Sequence, residues 1–157
     1  VSPTRPLSIL CMAAALAAAA VRVGARLLAA EEAGAHPVYV RALVAAQPED
    51  TVLTETFSLG WPDAPHRVLR ACIIAAEAFE GETAGSQARG GERWSVGHFA
   101  STSSIRDTTG TLEAMPHWAG QPVEAVTCVQ PAADVVRELA TQAEALLRRP
   151  MSAPVAA

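Results

Sequence analysis

Apolar positions fall at helical spacing in several stretches of the chain and alternate at strand spacing in one. Val68, Leu69, Cys72, Ile73, Ala76 and Phe79 lie on one face of a helix. Asp63 is placed to cap that helix, with Pro65 in its first turn and Gly81 at its end. From Pro131 to Arg149 the stripe is Val135, Val136, Leu139, Ala143, Leu146 and Leu147. Pro150 stops this helix, and Glu144 and Arg148 form an i,i+4 pair on it. Pro37 opens another helix that runs to about Ala46, and Gln47-Pro48-Glu49-Asp50 is a turn. The best strand signal is Thr51 to Ser58, with Leu53 and Phe57 alternating against Thr54 and Thr56.

A second strand is expected at Val21-Arg22-Val23, where β-branched residues follow an Ala-rich stretch and Gly24 ends the run. Leu27 to Ala33 reads as a short helix stopped by Gly34, with Glu31 and Glu32 in water. Gly60-Trp61-Pro62-Asp63 is a turn. Residues 81–97 hold five Gly among Ser, Glu and Arg and read as an exposed loop. Residues 99–107 are irregular, and Thr111 to Met115 is a short helix cut by Pro116. Two strands and several one-faced helices call for a further layer, so the chain looks like the helical end of a larger α/β protein.

Ile9 to Val21 is an unbroken apolar run preceded by Arg5, which mimics a signal peptide. It is too short and too Ala-rich for a membrane span, which takes ~20 strongly apolar residues. We read it as a buried Ala-rich helix leading into the first strand, and the chain as cytoplasmic. Beyond Pro150, residues 151–157 read as a frayed tail.

Charge and chemistry narrow the classes. The 157 residues carry a net charge of -4, and all 12 basic residues are Arg, scattered along the chain. A nucleic-acid partner needs a basic stripe to displace counterions, so none is expected. Cys11, Cys72 and Cys128 lie far apart, with no C-x-x-C, and no disulfide framework is expected. His36, His66, His98 and His117 lack zinc-ligand spacing, so no metal site is expected. His36 before Pro37 and His66 read as capping or packing residues. Ser95, His98 and Asp107 lack the G-x-S-x-G setting of a hydrolase nucleophile. Trp61, Trp94 and Trp118 read as packing anchors.

The run from Val21 to Pro37, V-R-V-G-A-R-L-L-A-A-E-E-A-G-A-H-P, resembles the flavin-dependent nitronate monooxygenases. The resemblance continues in order through Asp50 to Thr54 with Phe57-Ser58, and through Gly60 to Arg70. It returns at Arg106 to Gly110, Glu113 to Met115, Trp118 to Gln121 and Pro131 to Val136. Residues 1–10 match nothing in the family, residues 11–149 form its C-terminal portion, and residues 150–157 are the tail. The resemblance implies an α/β fold: the C-terminal fragment of a TIM (β/α)8 barrel with an added helical substructure, mostly helical in this chain. It also implies FMN at the C-terminal ends of the strands. The implied activity is oxidation of alkyl nitronates with O2 to a carbonyl compound and nitrite.

By the same resemblance Arg22, Val23, Gly24 and Ala25 hold the FMN phosphate. Gly24 lets backbone approach an anion, and the amides opening the next helix point at it. Ala25 and Leu27 replace the family's Thr and Phe, and Ala17 to Ala20 replace its Gly-Ala-x-Gly. Pro116-His117-Trp118 replaces its Ala-Leu-Tyr. The family's catalytic His lies upstream of the matching region, so no catalytic residue is assigned, and His36 is not that base. The isolated chain is therefore expected to be incomplete and inactive, and prone to self-association through its open helix faces. The alternative is a secreted or membrane-anchored helical interaction module that uses Ile9 to Val21 as its signal.

Overall fold

A computed structural model describes residues 23–148. The apolar run Ile9 to Val21, Arg22 of the expected strand, and the tail after Pro150 lie outside the described residues. Among the described residues the helices are α1 (Gly24–Leu28), α2 (Pro37–Ala45), α3 (Arg70–Glu77) and α4 (Ala132–Leu147). The strands are β1 (Thr51–Thr54), β2 (His66–Leu69), β3 (Thr83–Arg89), β4 (Glu92–Gly97) and β5 (Thr109–Gly110). Short 3-10 turns at Glu31–Ala33, Pro48–Asp50, Leu112–Ala114 and Gln121–Ala125 connect them.

Local chemistry sets several boundaries. Pro37 supplies the fixed φ of a first helical residue, and the His36 ring caps α2 by accepting the Val38 N–H at Nδ1, 3.1 Å away. Gln47 and Asp50 form a capping box around Pro48–Asp50. Helix α4 follows Pro131, whose carbonyl accepts the amides of Asp134 and Val135. Val135 is buried and Leu139 half-buried, as the stripe requires, but Val136 is exposed. The Glu144–Arg148 pair forms at 3.4 Å.

Strands are more numerous than expected, and the described part is a helix–strand mixture rather than mostly helical. β1 and β2 pair antiparallel, with Thr51 opposite Leu69 and Thr54 opposite His66. Trp118 extends this sheet by an antiparallel bridge to Val68. The second sheet has the order β4-β3-β5, again antiparallel. The named strands thus form no parallel strand–helix–strand unit, and a barrel is not among the described elements.

Three expectations need correction. The Gly-rich segment 81–97 is the β3–β4 hairpin. Gly90 and Gly91 both take positive φ, +63° and +84°, the backbone that a tight two-residue turn requires. The helix expected after Asp63 starts only at Arg70: Asp63 sits in the turn itself at φ +52°, and Val68 and Leu69 lie on β2. β1 stops at Thr54, because the Thr54 hydroxyl accepts the Thr56 N–H at 3.0 Å and bonds the Thr56 hydroxyl at 2.6 Å. This local turn competes with the ladder. Phe57 is then buried, while Leu53 is left exposed opposite Arg67.

The core falls into three patches. Tyr39, Leu43, Leu69, Val123 and Val126 fill the first, between α2, β2 and the Gln121–Ala125 turn. Phe57, Val68, Cys72, Ala76 and Ala114 fill the second. Ala84, Val96, Leu112 and Met115 close the hairpin sheet over the third. Among the described residues no helix is long and apolar enough to cross a membrane.

Candidate functional site

The segment Val23-Gly24-Ala25 opens α1, so Gly24 and Ala25 are helical rather than the end of a strand. Val23 is the cap residue, with φ -122° and ψ 26°, and no side chain caps the first turn. The amides of Gly24, Ala25 and Arg26 therefore lack an intrahelical acceptor. Gly24 is exposed, and a Cβ built on it meets nothing within 4 Å. The space around Gly24 is open, as a close approach by an anion such as a phosphate would need. Arg22 lies outside the described residues.

Arg26 adds no free positive charge there. Its guanidinium is buried, donating to the Cys128 carbonyl at 3.1 Å and to the Glu138 carboxylate at 3.4 Å. Gln130 donates to the same Glu138 oxygen, and the Glu32 carboxylate accepts the Ala132 amide at 2.9 Å. Ala30 and Gln130 form a parallel bridge. The turn after α1 is thereby fastened to the start of α4.

The four His are spread over the molecule. His36 is consumed by its cap. His66 is buried on β2, with Nδ1–H donating to the Ala64 carbonyl at 2.8 Å and Nε2 accepting the Phe57 N–H at 3.3 Å. It stacks on Trp61 and meets the edge of Trp118 at 4.7 Å. Packing is thus its role, on a strand rather than in a helix. His98 lies against Phe99 at 3.8 Å and donates from Nε2 to the Ala76 carbonyl, 2.8 Å away. That bond takes it out of any arrangement with Ser95. No group of three metal-ligating side chains occurs among the described residues.

The fourth His marks a polar centre that sequence reasoning missed. His117 is 4% exposed and stacks on Tyr39, with ring centres 4.8 Å apart and planes 11° from parallel. Its backbone N–H points at the Cys72 thiol, 3.4 Å away, and that thiol donates to the Leu69 carbonyl at 3.0 Å. The Tyr39 hydroxyl donates to the Trp118 carbonyl at 2.7 Å. Burial pushes the His117 pKa down to about 4, against smaller upward pulls from the Leu112 carbonyl and Glu113; nearby His36 lowers it further. Burial pushes the Cys72 thiol up to about 11, and pushes the Tyr39 phenol up as well. At neutral pH all three groups are uncharged, which makes Cys72 a poor nucleophile.

Neither the curated proteins nor the solved structures gave a match to the chain. The family model for nitronate monooxygenase matches residues 10–142, a span that takes in α1, α2, α3, all five strands and most of α4. The match extends over most of the 157 residues, and the chain belongs to the nitronate monooxygenase family, a family of oxidoreductases.

Proposed function

We propose that this chain contributes the phosphate-binding part of an FMN-dependent oxidation of alkyl nitronates by O2 to carbonyl compounds and nitrite. The observation that carries this reading is the family match over residues 10–142. The uncapped, open backbone at Gly24, inside that span, supports the placing of the phosphate. The backbone amides of Gly24 and Ala25 hold it, with Val23 and Arg22 beside them. Arg26 serves from behind by fixing α1, since its guanidinium is spent on Cys128 and Glu138. FMN, when bound, supplies the electron acceptor for the nitronate. No described residue is assigned to the flavin ring or to proton abstraction. Residues 23–148 on their own thus give phosphate contacts without the apolar enclosure that drives tight cofactor binding.

The test compares FMN with riboflavin, which lacks the phosphate, by amide chemical shifts of the 15N-labelled chain. Gly24, Ala25 and Arg26 should shift with FMN and not with riboflavin. Binding should be weak, and nitrite release from a nitronate should stay at the protein-free level. Equal shifts with both ligands, or none at these amides, would remove the phosphate role.

A further inference from the structure

The His117 centre is not used by the proposed phosphate contact, yet several elements converge on it. The segment Pro116 to Ala119 is held between α2 and β2 by a small set of bonds. Leu69 N–H donates to the His117 carbonyl at 2.9 Å, and Ala119 N–H to the Arg67 carbonyl at 3.1 Å. The Tyr39 hydroxyl takes the Trp118 carbonyl between them. The His117 ring lies flat on Tyr39, and its Nε2 is buried without a hydrogen-bond partner.

Among the described residues, every neighbouring titratable group leaves that nitrogen without an acceptor for a second proton. From α2, Tyr39 offers its ring face and sends its hydroxyl to Trp118, while His36 is committed to the helix cap. From α3, Cys72 bonds the Leu69 carbonyl. Glu113, in the Leu112–Ala114 turn, acts on the ring only as an exposed carboxylate. From β2, His66 bonds Ala64 and Phe57, and the Arg67 guanidinium bonds Thr51. A charged imidazolium would thus sit buried with an unsatisfied N–H, a strongly unfavourable state.

We propose that His117 is an acid-operated latch. As a neutral ring it holds residues 117–119 between α2 and β2. On taking a proton from solvent at Nε2 it leaves the Tyr39 stack, and the strand-like pairing of Trp118 with Val68 opens with it. Trp118 then loses its edge contact with His66, so the aromatic group around Trp61 loosens while the β3–β4 hairpin stays closed. The depressed pKa of the ring accords with this placement.

The experiment is hydrogen exchange on the full chain, followed as protection factors from pH 7 down. A one-proton latch should lower protection at the Leu69 and Ala119 amides about tenfold per pH unit between 6.5 and about 4. The His98 and Thr111 amides, bonded to the Glu82 and Ala84 carbonyls at the start of β3, should stay at the protection that global unfolding, measured by urea at each pH, allows, while Leu69 and Ala119 fall below it. His117→Phe keeps a flat ring on Tyr39 and should abolish the acid dependence. Should that variant not fold, the ring 15N shifts of wild-type His117 decide the matter. Charging of the ring in step with the loss of protection supports the latch. Charging with Leu69 and Ala119 still protected overturns it, as does the same acid dependence in His117→Phe.

Discussion

Gly85 and Gly110 face each other across the β3–β5 pair, and neither has room for a side chain. A Cβ on Gly110 would lie 2.4 Å from the Ala84 carbonyl oxygen and 2.5 Å from the Gly85 Cα. A Cβ on Gly85 would lie 2.2 Å from the Thr109 carbonyl oxygen. Gly110 also takes φ +122°, a backbone that L side chains rarely adopt. The obstacle is backbone in both cases, so it cannot rotate away.

Gly110→Ala and Gly85→Ala should each therefore destabilise the protein by roughly 2–4 kcal/mol, in the range of overpacking and backbone strain combined. Gly90→Asn at the hairpin tip should be nearly neutral, because its surroundings are open and Asn tolerates positive φ. Urea denaturation of the three variants checks the ranking. Equal stability of Gly110→Ala and Gly90→Asn would contradict the β3–β5 pairing.

Removing Arg26 should cost more than removing its partner. Arg26→Ala takes the donor from the Cys128 carbonyl and the guanidinium from the Glu138 carboxylate, a loss of roughly 2–3 kcal/mol. Glu138 is about a third exposed, so Glu138→Gln should cost ~1 kcal/mol or less. Thermal melts of the two single variants and the double variant measure this. A double variant no worse than Arg26→Ala would show that the two residues act as one unit.

Stability should be highest between about pH 6.5 and 9. His117 is neutral when folded at pH values where the unfolded chain is already protonated, so the unfolded state binds more protons. Its contribution is full above its ordinary value of 6.5 and is lost as pH falls toward about 4, about 3 kcal/mol in all. Cys72 works at the other end. Its folded pKa is raised from 9.0 to about 11, so its contribution is full below pH 9 and falls as pH rises toward 11. Urea midpoints across this range give the profile. A midpoint that rises on acidification from about pH 6.5 to about 4.5 would reject the His117 assignment.

The two described thiols should differ sharply in reactivity. Cys128 is exposed, whereas Cys72 is buried and holds its proton. A thiol reagent near neutral pH should label Cys128 and leave Cys72 untouched until the protein unfolds. Mass spectrometry of the labelled chain checks this, and equal labelling of both would place Cys72 outside the core.

Parts of this fold are written in local pattern and parts are not. α2 announces itself through Pro37, and α4 through Pro131 and its apolar stripe, and both form close to the expected bounds. The β3–β4 hairpin does not. Its strands carry Gly, Ser, Gln and Arg with few apolar residues to alternate, and the Gly90–Gly91 pair is hidden among three other glycines. β2 is obscured because Val68 and Leu69 continue the stripe of the helix that follows them. At the candidate site the pattern puts Gly24 at the end of a strand and a helix from Leu27, whereas the helix opens at Gly24 itself. The engagement of Arg26 is not, since its partners lie more than 100 residues away in sequence. The stack of His117 on Tyr39 depends in the same way on residues brought together by the fold.

The fastening of α1 to the far end of the chain has a consequence for biosynthesis. The bonds of Arg26 to Cys128 and Glu138, of Ala30 to Gln130 and of Glu32 to Ala132 each close a loop of about a hundred residues. Loops of that length close late, after the local hairpins and helices have formed. As the chain leaves the ribosome, the turn at Gly24 emerges long before its anchors and waits undocked until α4 has been synthesised. The proposed phosphate contact is thus made before its anchors and takes shape only with them.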